Sequence, residues 1–474
     1  MAFQHGIRTK QIETSIKTPV TAGSGIAFVV GTAPIQAVNG KVNEPIMCNS
    51  YAEAVKYLGY NDNFDYYTLC EVMYCHFVLY GVSPVVFVNV LDPKKHKKQV
   101  EEKQYPVNDK QVLLPIEALA ETVVVKGHEK GQDYDLMYTN DNLVLEILDG
   151  GNIGQGTGEL AIAFEAVDPT KVTEKDIIGG YEVSTNQYKG LELIDKVFAK
   201  YGIITDLILC PKFSKKSTVA AVMATKCENI NGIFEAHAVV DLDSSEVKAY
   251  GDTTERKKKD NIFSKYQILC WPMVKLGDKK FHLSTQAAAR MAKTDVDNDF
   301  CPAESPSNKS IKVDGAILED GTELLLDLKE ANYLNSQGIV TAINFIGGYV
   351  LWGNQTACFP ANTDVKDYFI SIGRMFGWVG NSLILTYWSN VDKKMTPRFV
   401  QSIVDSINIW LNGLVSEGKL LGGRVEFKPE DNNLVELMAG KATFHVYLTP
   451  PSPAQEIVFA LEYDPDYVVA AFQS

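Results

Sequence analysis

The chain has 474 residues and a mass of 52.4 kDa, which is too long for one compact core and predicts about three domains. Hydrophobic residues at 46% and charged residues at 22% exclude wholesale disorder and a collagen-like structure. Forty-five basic against 59 acidic residues give a net charge of −14, which argues against a nucleic-acid backbone as the main partner. The sequence has no run of about 18 apolar residues and no apolar signal region near its start, so we expect a protein that folds in a cytoplasm.

The beginning of the chain predicts an arm followed by an α/β segment. Residues 1–20 are polar and β-branched without a helical period, and we interpret them as an extended N-terminal arm. Residues 21–92 contain an apolar strand at Ile26–Val30, a helix at Asp65–Tyr80 and a second strand at Val85–Val90. The continuous apolar character of the second strand predicts burial on both faces.

Residues 93–178 differ in character from what precedes them. Short β-like runs alternate there with turn residues about every ten positions, which predicts a β-sandwich or small barrel inserted into the α/β chain. The glycine-rich stretch 150–159 (GGNIGQGTGE) superficially resembles a phosphate-binding loop. It lacks both the GK[ST] ending and the GxGxxG spacing, so we interpret it as a hairpin or loop.

The α/β pattern returns over residues 179–346. Helices at Tyr188–Tyr201, Ser217–Ile230 and Ser284–Lys293 alternate with strands such as DLILC (206–210) and YQILCWPMV (266–274). At least three strand–helix units of this kind predict parallel strands joined by crossover helices.

The last part of the chain predicts an α+β domain at 347–454 and a terminal strand arm at 455–474. Arg398–Glu417 has the apolar stripe of an amphipathic helix. ATFHVYL (442–448) and EIVFALEY (456–463) alternate as strands do, and the stiff TPPSP (449–453) separates them. A spacer of this kind makes a poor tight hairpin, so we expect the final strand to reach another partner.

Catalytic and metal-binding patterns are not found in the sequence. No GxSxG or HExxH motif occurs, and the histidines are isolated. Asp241 and Asp243 end a predicted strand, where we interpret them as loop carboxylates or helix caps. Cys70, Cys75 and His76 are the nearest approach to a ligand set, and the eight scattered cysteines predict reduced, buried side chains. We therefore predict no enzyme, with no catalytic residues, no cofactor and no metal.

Several long segments resemble the contractile-tail sheath proteins of phages. They are VTEKDIIGGYEVSTNQYKGLELIDKVFAKYG (172–202), ESPSNKSIKVDGAI (304–317), ANYLNSQGIVTAINFIGGYVLWGNQTACFPANTDVKDYFISIGRMFGWV (331–379) and the closing MAGKATFHVYLTPPSPAQEIVFALEYD. FQHGIRTKQIETS is similar to the N-terminal arm of the same family. The resemblance is collinear and nearly complete, weakest at 93–178, and strongest toward sheaths of Gram-positive myophages and defective prophages. Many members carry paired arginines where Gly373 and Arg374 stand here.

The resemblance implies a multidomain α/β fold. Its parts would be a subtilisin-like middle domain without the catalytic triad, an inserted, outward-facing β-sandwich, an α+β C-terminal sheath domain and extended terminal β arms. It implies a subunit that polymerises helically in six-membered rings around a tail tube protein, with baseplate and tail terminator proteins as further partners. Contraction would then drive the tube through a bacterial envelope for genome ejection. The expected location is the virion tail sheath, assembled in the host cytoplasm, without direct nucleic-acid contact or membrane insertion.

The resemblance and the charge pattern together nominate two sets of functional residues. The terminal arms would donate strands to neighbouring subunits through Ile7, Thr9, Ile12, Ile457, Phe459, Leu461 and Tyr463. Val391–Lys428 carries six basic and four acidic residues, a local charge of +2 in an acidic chain. Lys393, Lys394 and Arg398 lie at the start of a helix, where the macrodipole disfavours cations. They are candidate tube-facing residues, and a solvated loop with incidental lysines is the alternative.

Other functions remain open at this point. A headless R-type bacteriocin or related injection device would use the same subunit as a phage. A serine-type hydrolase requires Asp, His and Ser to converge in space. A tail assembly factor would remain monomeric.

Overall fold

The computed structural model describes residues 19–34, 40–139, 142–154, 156–184 and 186–472. The strands of the first half are β1 Ala27–Gly31, β2 Pro45–Cys48, β3 Val85–Asn89, β4 Lys97–Pro106, β5 Gln111–Pro115, β6 Val124–Val125, β7 Tyr134–Tyr138, β8 Asn142–Ile147, β9 Glu159–Val167, β10 Gly180–Glu182, β11 Gln187–Lys189 and β12 Leu207–Leu209. Those of the second half are β13 His237–Asp241, β14 Gln267–Cys270, β15 Met273–Leu276, β16 Lys279–Phe281, β17 Lys309–Ser310, β18 Gly315–Ile317, β19 Glu323–Leu324, β20 Ile339–Asn344, β21 Tyr349–Trp352, β22 Gly422–Glu426 and β23 His445–Thr449.

The α-helices are distributed along the whole described chain. They are α1 Tyr51–Leu58, α2 Thr68–Met73, α3 Glu174–Ile178, α4 Ile194–Tyr201, α5 Ser217–Glu228, α6 Thr253–Lys259, α7 Leu283–Asp297, α8 Leu328–Ser336, α9 Val365–Tyr368, α10 Ile370–Tyr387, α11 Pro397–Ser416, α12 Leu434–Met438 and α13 Asp466–Phe472. A π-helical segment, Tyr74–Tyr80, continues α2.

A nine-stranded mixed sheet forms the centre of the molecule, in the order β17-β21-β20-β14-β13-β12-β1-β3-β2. Its six inner strands, from β20 to β3, pair in parallel, and antiparallel strands close both edges. Strands β1, β3 and β13 lie within this parallel region and are buried along their full length. Burial on both faces explains why their sequences are continuous apolar runs. The predicted parallel strands with crossover helices are therefore present in this sheet.

Residues 97–167 form a separate layer with its own core. Two three-stranded sheets, β4-β9-β6 and β5-β8-β7, enclose buried side chains such as Val112, Leu145 and Phe164. The described glycine-rich residues 150–154 and 156–158 lie between β8 and β9, and Glu159 begins β9, so the stretch precedes a strand rather than a helix. Val172 and Ile177 pack in the main core instead. The small β unit thus ends earlier than residue 178, where the sequence pattern places its limit.

The hairpin β20–β21 spans the division expected at 346/347, since both strands belong to the central sheet. The C-terminal part that follows is built from α10, α11 and the antiparallel pair β22–β23. Helix α11 matches the predicted amphipathic helix within one residue at each end, with Thr396 as its N-cap accepting the Phe399 N–H.

Several predicted elements differ from the structure, and β23 begins at His445 rather than at the expected Ala442. The single strand expected at 266–274 is divided into β14 and β15, which belong to different sheets, because Pro272 supplies no N–H for a ladder. Helix α4 begins at Ile194, after the short strand β11 and a 3-10 turn at Gly190–Leu193. The strand expected at 456–463 has no strand conformation and pairs with no strand of the described chain.

Candidate assembly interface

The segment that leaves the N-terminal arm is held along one face of α10. Four residues of that helix, spaced four apart, bond to residues 20–26 or to the carboxylates that contact those residues. They are Arg374, Trp378, Ser382 and Thr386. The N–H groups of Val20 and Ala22 donate to the hydroxyls of Thr386 and Ser382, both at 2.9 Å. The Trp378 indole N–H donates to the Ala22 carbonyl at 2.8 Å. Spacing of four places side chains on one helix face, so α10 acts as a backing for this segment.

A buried charge cluster ends this row of contacts. The Arg374 guanidinium, 4% exposed, donates to Asp206 at 2.6 Å and to both carboxylate oxygens of Asp295. Ser24 donates to Asp295 at 2.7 Å, and Asp206 also accepts the Ile26 N–H at 2.8 Å. Burial opposes the charged form of Arg374, yet the two carboxylates raise its pKa, so it stays charged. Burial and the neighbouring Asp206 raise the pKa of Asp295 against the opposing effect of Arg374.

This cluster was not identified from the sequence as a functional set. Within the cluster, the sequence singles out only Arg374, because many members of the family carry paired arginines where Gly373 and Arg374 stand here. The signal that could have revealed the row is R-x3-W-x3-S-x3-T, which runs along the polar side of an otherwise apolar helix. The partners of Arg374 lie 79 to 350 positions away, which no local pattern can show.

The pair β22–β23 is a small sheet backed by α11. Val425 and Val446 lie opposite each other on the face toward the helix, and Arg424 and Tyr447 lie opposite each other on the outer face. The Arg424 guanidinium stacks over the Tyr447 ring at 4.0 Å and pairs with Glu426 at 2.7 Å. The aromatic pair Trp378 and Trp410, 5.7 Å apart, connects α11 to α10. The segment that carries the arm and the sheet β22–β23 are thus joined through two packed helices.

The C-terminal segment after this sheet is exposed. Ile457, Phe459, Leu461 and Tyr463 are 70%, 83%, 95% and 82% exposed, and the segment pairs with no strand of the described chain. Helix α13 follows, with Tyr467 and Phe472 also exposed. Apolar exposure on this scale is characteristic of an interaction segment. The other nominated arm residues, Ile7, Thr9 and Ile12, lie outside the described residues.

Lys393, Lys394 and Arg398 are all exposed and lie just before or in the first turn of α11. Among the residues that the structure describes, none of the three forms an ion pair, and Lys393 donates to the Asn390 side chain at 2.7 Å. Lys419 and Arg424, in contrast, are paired with Asp299, Glu417 and Glu426. The unpaired positive charge that Val391–Lys428 presents at the surface therefore comes mainly from the three nominated residues.

The candidates for chemistry lie in structural surroundings. Asp241, at the end of β13, accepts hydrogen bonds from the Ser284 N–H at 3.0 Å and from the Ser214 hydroxyl at 3.1 Å. Burial raises its pKa. Asp243 accepts from Ser245 at 3.0 Å; burial raises its pKa, but Ser245 and Lys215 hold it below the usual value. Asp243 is a loop carboxylate, and Asp241 is the last residue of β13 and accepts the Ser284 N–H at the start of α7.

His282, the histidine nearest this group, is paired with a carboxylate. Its Nδ1 lies 2.8 Å from the buried Glu71, and its backbone N–H donates to the same carboxylate. Burial lowers its pKa, but Glu71 and Asp241 raise it to about 9, so the ring is protonated near neutral pH. Ser214 and Ser284 donate to Asp241, so this group lacks the serine–histidine bond of a nucleophile.

The remaining candidate metal ligands lie in one buried helical segment. Cys70, Cys75 and His76 are buried in the helical segment from α2 onward, and burial raises the pKa of Cys75 well above its usual value. In the described ranges no group of three or more His, Cys, Asp or Glu side chains could hold a metal ion. No described helix is both long and apolar enough to cross a membrane.

Comparison with known proteins gives consistent relatives, although no protein-family model matches. The chain is 26% identical over 483 residues to the tail sheath protein of Burkholderia phage BcepMu, covering 98% of each chain. It is 25% identical over 289 residues to the tail sheath protein of Escherichia phage P2, covering 60% of this chain and 69% of that one.

Two solved structures share the fold over almost the full length. The contracted PVC sheath of an extracellular contractile injection system has a TM-score of 0.59 at 13% identity, covering 98% of this chain and 99% of that one. The contracted helical sheath of the anti-feeding prophage has a TM-score of 0.58 at 13% identity, covering 97% and 99%.

The fold and these relatives define a structural, non-enzymatic protein. The chain belongs to the family of contractile tail sheath proteins. It is a tail sheath subunit of a contractile phage tail or of a related contractile injection system.

Proposed function

We propose that this subunit polymerises into a helical sheath in which neighbours are joined by exchanged terminal strands. The observation that carries the proposal is the segment Glu456–Tyr463. It alternates apolar residues, follows a three-proline spacer and is exposed along its whole length. An extended strand with unpaired backbone groups gains main-chain hydrogen bonds only by adding to a sheet.

The finer architecture belongs to the same proposal. The central sheet and its helices form a subtilisin-like domain without a triad, residues 97–167 form an outward-facing β-sandwich, and the chain after Trp352 forms the α+β sheath domain. The six parallel strands of the central sheet lie in the order β3-β1-β12-β13-β14-β20. Only the first two depart from chain order, and this order is that of an open doubly wound sheet. The separate core of residues 97–167 supports treating them as an insertion.

Contraction around a tube is the mechanical part of the proposal. Subunits would assemble in the bacterial cytoplasm as stacked six-membered rings, which start on a baseplate and end at a terminator protein. On contraction each subunit would rotate as a rigid body while the exchanged strands stay paired. Contacts that do not close on themselves generate helices of this kind. One solved relative is described as a helical sheath and another as part of a baseplate in the contracted state, which supports this arrangement.

The tube-facing surface would be formed by Lys393, Lys394 and Arg398. Their exposure, their freedom from ion pairs in the described chain and the local charge of +2 over Val391–Lys428, within a chain of net charge −14, support a contact with an acidic surface. Exposed ion pairs contribute only about 0–1 kcal/mol each, so such a contact must be repeated around the tube and must weaken with salt.

Electron microscopy of the purified full-length chain tests the proposal. We expect striated tubes, and we expect a chain lacking residues 456–474 to stay monomeric and folded. A full-length protein that stays monomeric at high concentration would instead support an assembly factor. Particles purified from producing cells separate the two remaining cases, since capsids on the tails identify a phage and their absence a bacteriocin-like device.

A further inference from the structure

His96 lies where the chain enters the small β unit of residues 97–167, and its side chain is 2% exposed. Its backbone carbonyl accepts the Asp168 N–H at 2.8 Å, which ties the entering chain to the chain that leaves the unit. Leu91 on the entering side and Val172 on the leaving side both belong to the main core. The ring of His96 therefore lies at the junction between the small β unit and the body of the protein.

The hydrogen bonding of the ring defines its protonation state. Nδ1 accepts the backbone N–H of Asp92 at 3.0 Å, and a ring nitrogen accepts a hydrogen bond only when it carries no proton. The geometry therefore fits the neutral ring with its proton on Nε2. Nε2 lies 3.5 Å from a carboxylate oxygen of Asp176 in α3 and forms no hydrogen bond, because this separation is too long. One nitrogen of the ring is thus bonded, and the other faces an acid across a gap.

Asp176 is held in place independently of His96. Its carboxylate accepts the Thr173 N–H at 2.9 Å and the Thr173 hydroxyl at 2.8 Å, as part of the capping box of α3. The same carboxylate pairs with Lys95. Ile177, the next residue of α3, is buried in the main core. The body of the protein therefore presents a fixed carboxylate to the ring.

The charged groups that face the ring are Asp92 and Lys95 on the entering turn and Asp176 on α3. Burial lowers the pKa of His96, and Lys95 acts in the same direction, whereas the two acids raise it; the result lies below the usual value. The ring is therefore neutral near pH 7 and takes up a proton only in acid. A protonated ring has no acceptor at Nδ1, so the Asp92 N–H loses its partner. The added positive charge at the same time attracts Nε2 to Asp176.

We infer that His96 is a pH-operated switch at this junction: the neutral ring bonds to the backbone of Asp92, and the protonated ring bonds to Asp176 instead. Acid thus releases the turn of residues 92–96 and ties the start of β4 to α3. The small β unit changes its attachment to the body while its own core and the main core stay intact. This switch is additional to the proposed sheath function and does not depend on polymerisation.

The variant His96→Gln tests the switch in the full-length chain. A glutamine oxygen can still accept the Asp92 N–H, but the side chain takes up no proton between pH 7.5 and pH 4.5. The measurement is the protection of the Asp92 amide against hydrogen exchange, corrected for the intrinsic rate at each pH. On acidification we expect this protection to fall by about fivefold or more in the wild type and to stay constant in the variant. A constant wild-type value, or an equal decline in both proteins, would overturn the inference.

The acid partner is tested by Asp176→Asn, with the titration of the His96 ring followed by NMR. Asparagine keeps an oxygen for the Thr173 N–H, so the cap of α3 remains, but it lacks the charge that favours the protonated ring. We expect the midpoint of the His96 titration to fall by about 0.5 or more. Glu174→Gln on the same helix, where Glu174 bonds to Thr218, is the control and should leave the midpoint unchanged.

An unchanged midpoint in Asp176→Asn would exclude Asp176 as the partner of the protonated ring and reject the inference. Neither measurement requires tubes. Failure of the wild-type chain to polymerise would therefore contradict the proposed function and leave the test of His96 unaffected.

Discussion

Arg374 connects three distant parts of the chain: the segment after the N-terminal arm, the end of α7 and helix α10. A buried ion pair adds little beyond its desolvation cost, but removal of one partner leaves unpaired charge inside the protein. Arg374→Met would leave Asp206 and Asp295 without their cation. We expect a loss of about 3–5 kcal/mol in the free energy of unfolding, measured by urea denaturation. The matched variant Arg398→Met, at an exposed position, should change it by no more than about 0.5 kcal/mol. Equal effects of the two substitutions would refute the assigned role of the cluster.

His282 and Glu71 give the stability a defined pH dependence. The pKa of His282 is about 9 in the folded protein, above about 6.5 in an unfolded chain. Because the pKa of His282 is higher in the folded state, the pair contributes its full stabilisation of the folded protein below pH 6.5. This contribution is lost as the pH rises through 9. The difference corresponds to about 3 kcal/mol. Denaturation at pH 6 and pH 9 should show a steeper decline for the wild type than for His282→Gln, which keeps the other titrating groups. Parallel curves for the two proteins would exclude the pair as the cause.

At the scale of elements, the hydroxyls on α10 control how tightly the arm segment is held. Ser382→Ala with Thr386→Val removes the acceptors of the Ala22 and Val20 N–H groups. Each hydrogen bond contributes about 1 kcal/mol net, so these two amides should exchange about 5- to 30-fold faster. Ser402→Ala, which removes an exposed hydroxyl on α11, is the control and should leave both rates unchanged. Unchanged rates in the double variant would show that Trp378 and Arg374 hold the segment alone.

The elements also show how far sequence reasoning reaches in this protein. Helix α11 and strands β1, β3 and β12 were predicted closely, because their apolar periods and caps are local signals. The split at Pro272 had a local signal, because a proline inside a strand pattern argues against one continuous strand. The late start of α4 depends on how the chain after β11 packs, and local patterns do not encode that. The proline spacer predicted that the segment 456–463 reaches another partner, and the family resemblance implied that it is a donated strand. Asn408 on α11, whose side chain bonds to the backbone N–H and carbonyl of Val425 in β22, gives no signal in a single sequence because its partner is a backbone group.

At the scale of the molecule, the small β unit should be removable at the limits that the structure gives. The Asp168 N–H donates to the His96 carbonyl at 2.8 Å, so the chain enters and leaves the unit at adjacent points. Deletion of residues 97–166 with a short glycine linker, which keeps Val167 in the main core, should leave a folded protein that polymerises, as judged by electron microscopy. Joining Asp92 to Gly179 also removes Val172 and Ile177 from the main core and should cost several kcal/mol more. Unfolding of the shorter deletion would show that the unit is required for folding.

The interaction with the tube is a property of the whole assembly, and its test is a charge reversal. Lys393, Lys394 and Arg398 changed together to glutamate alter the charge of each subunit by −6, and the alteration repeats at every subunit along the tube. Because weak exposed contacts act together only through repetition, the extended sheath should lose its hold on the tube. We expect sheaths that form without a tube or contract early, counted in micrographs at physiological salt.

Reversal of Lys98, Lys103 and Lys130, exposed in the inserted unit, imposes the same change of charge and serves as the control. It should leave extended tails normal, since that unit is proposed to face outward. The wild type at high salt should partly reproduce the triple reversal at α11, because screening weakens the same contacts. Normal extended tails from the α11 variant at physiological salt would eliminate this surface as the tube contact and leave its cations as solvated residues.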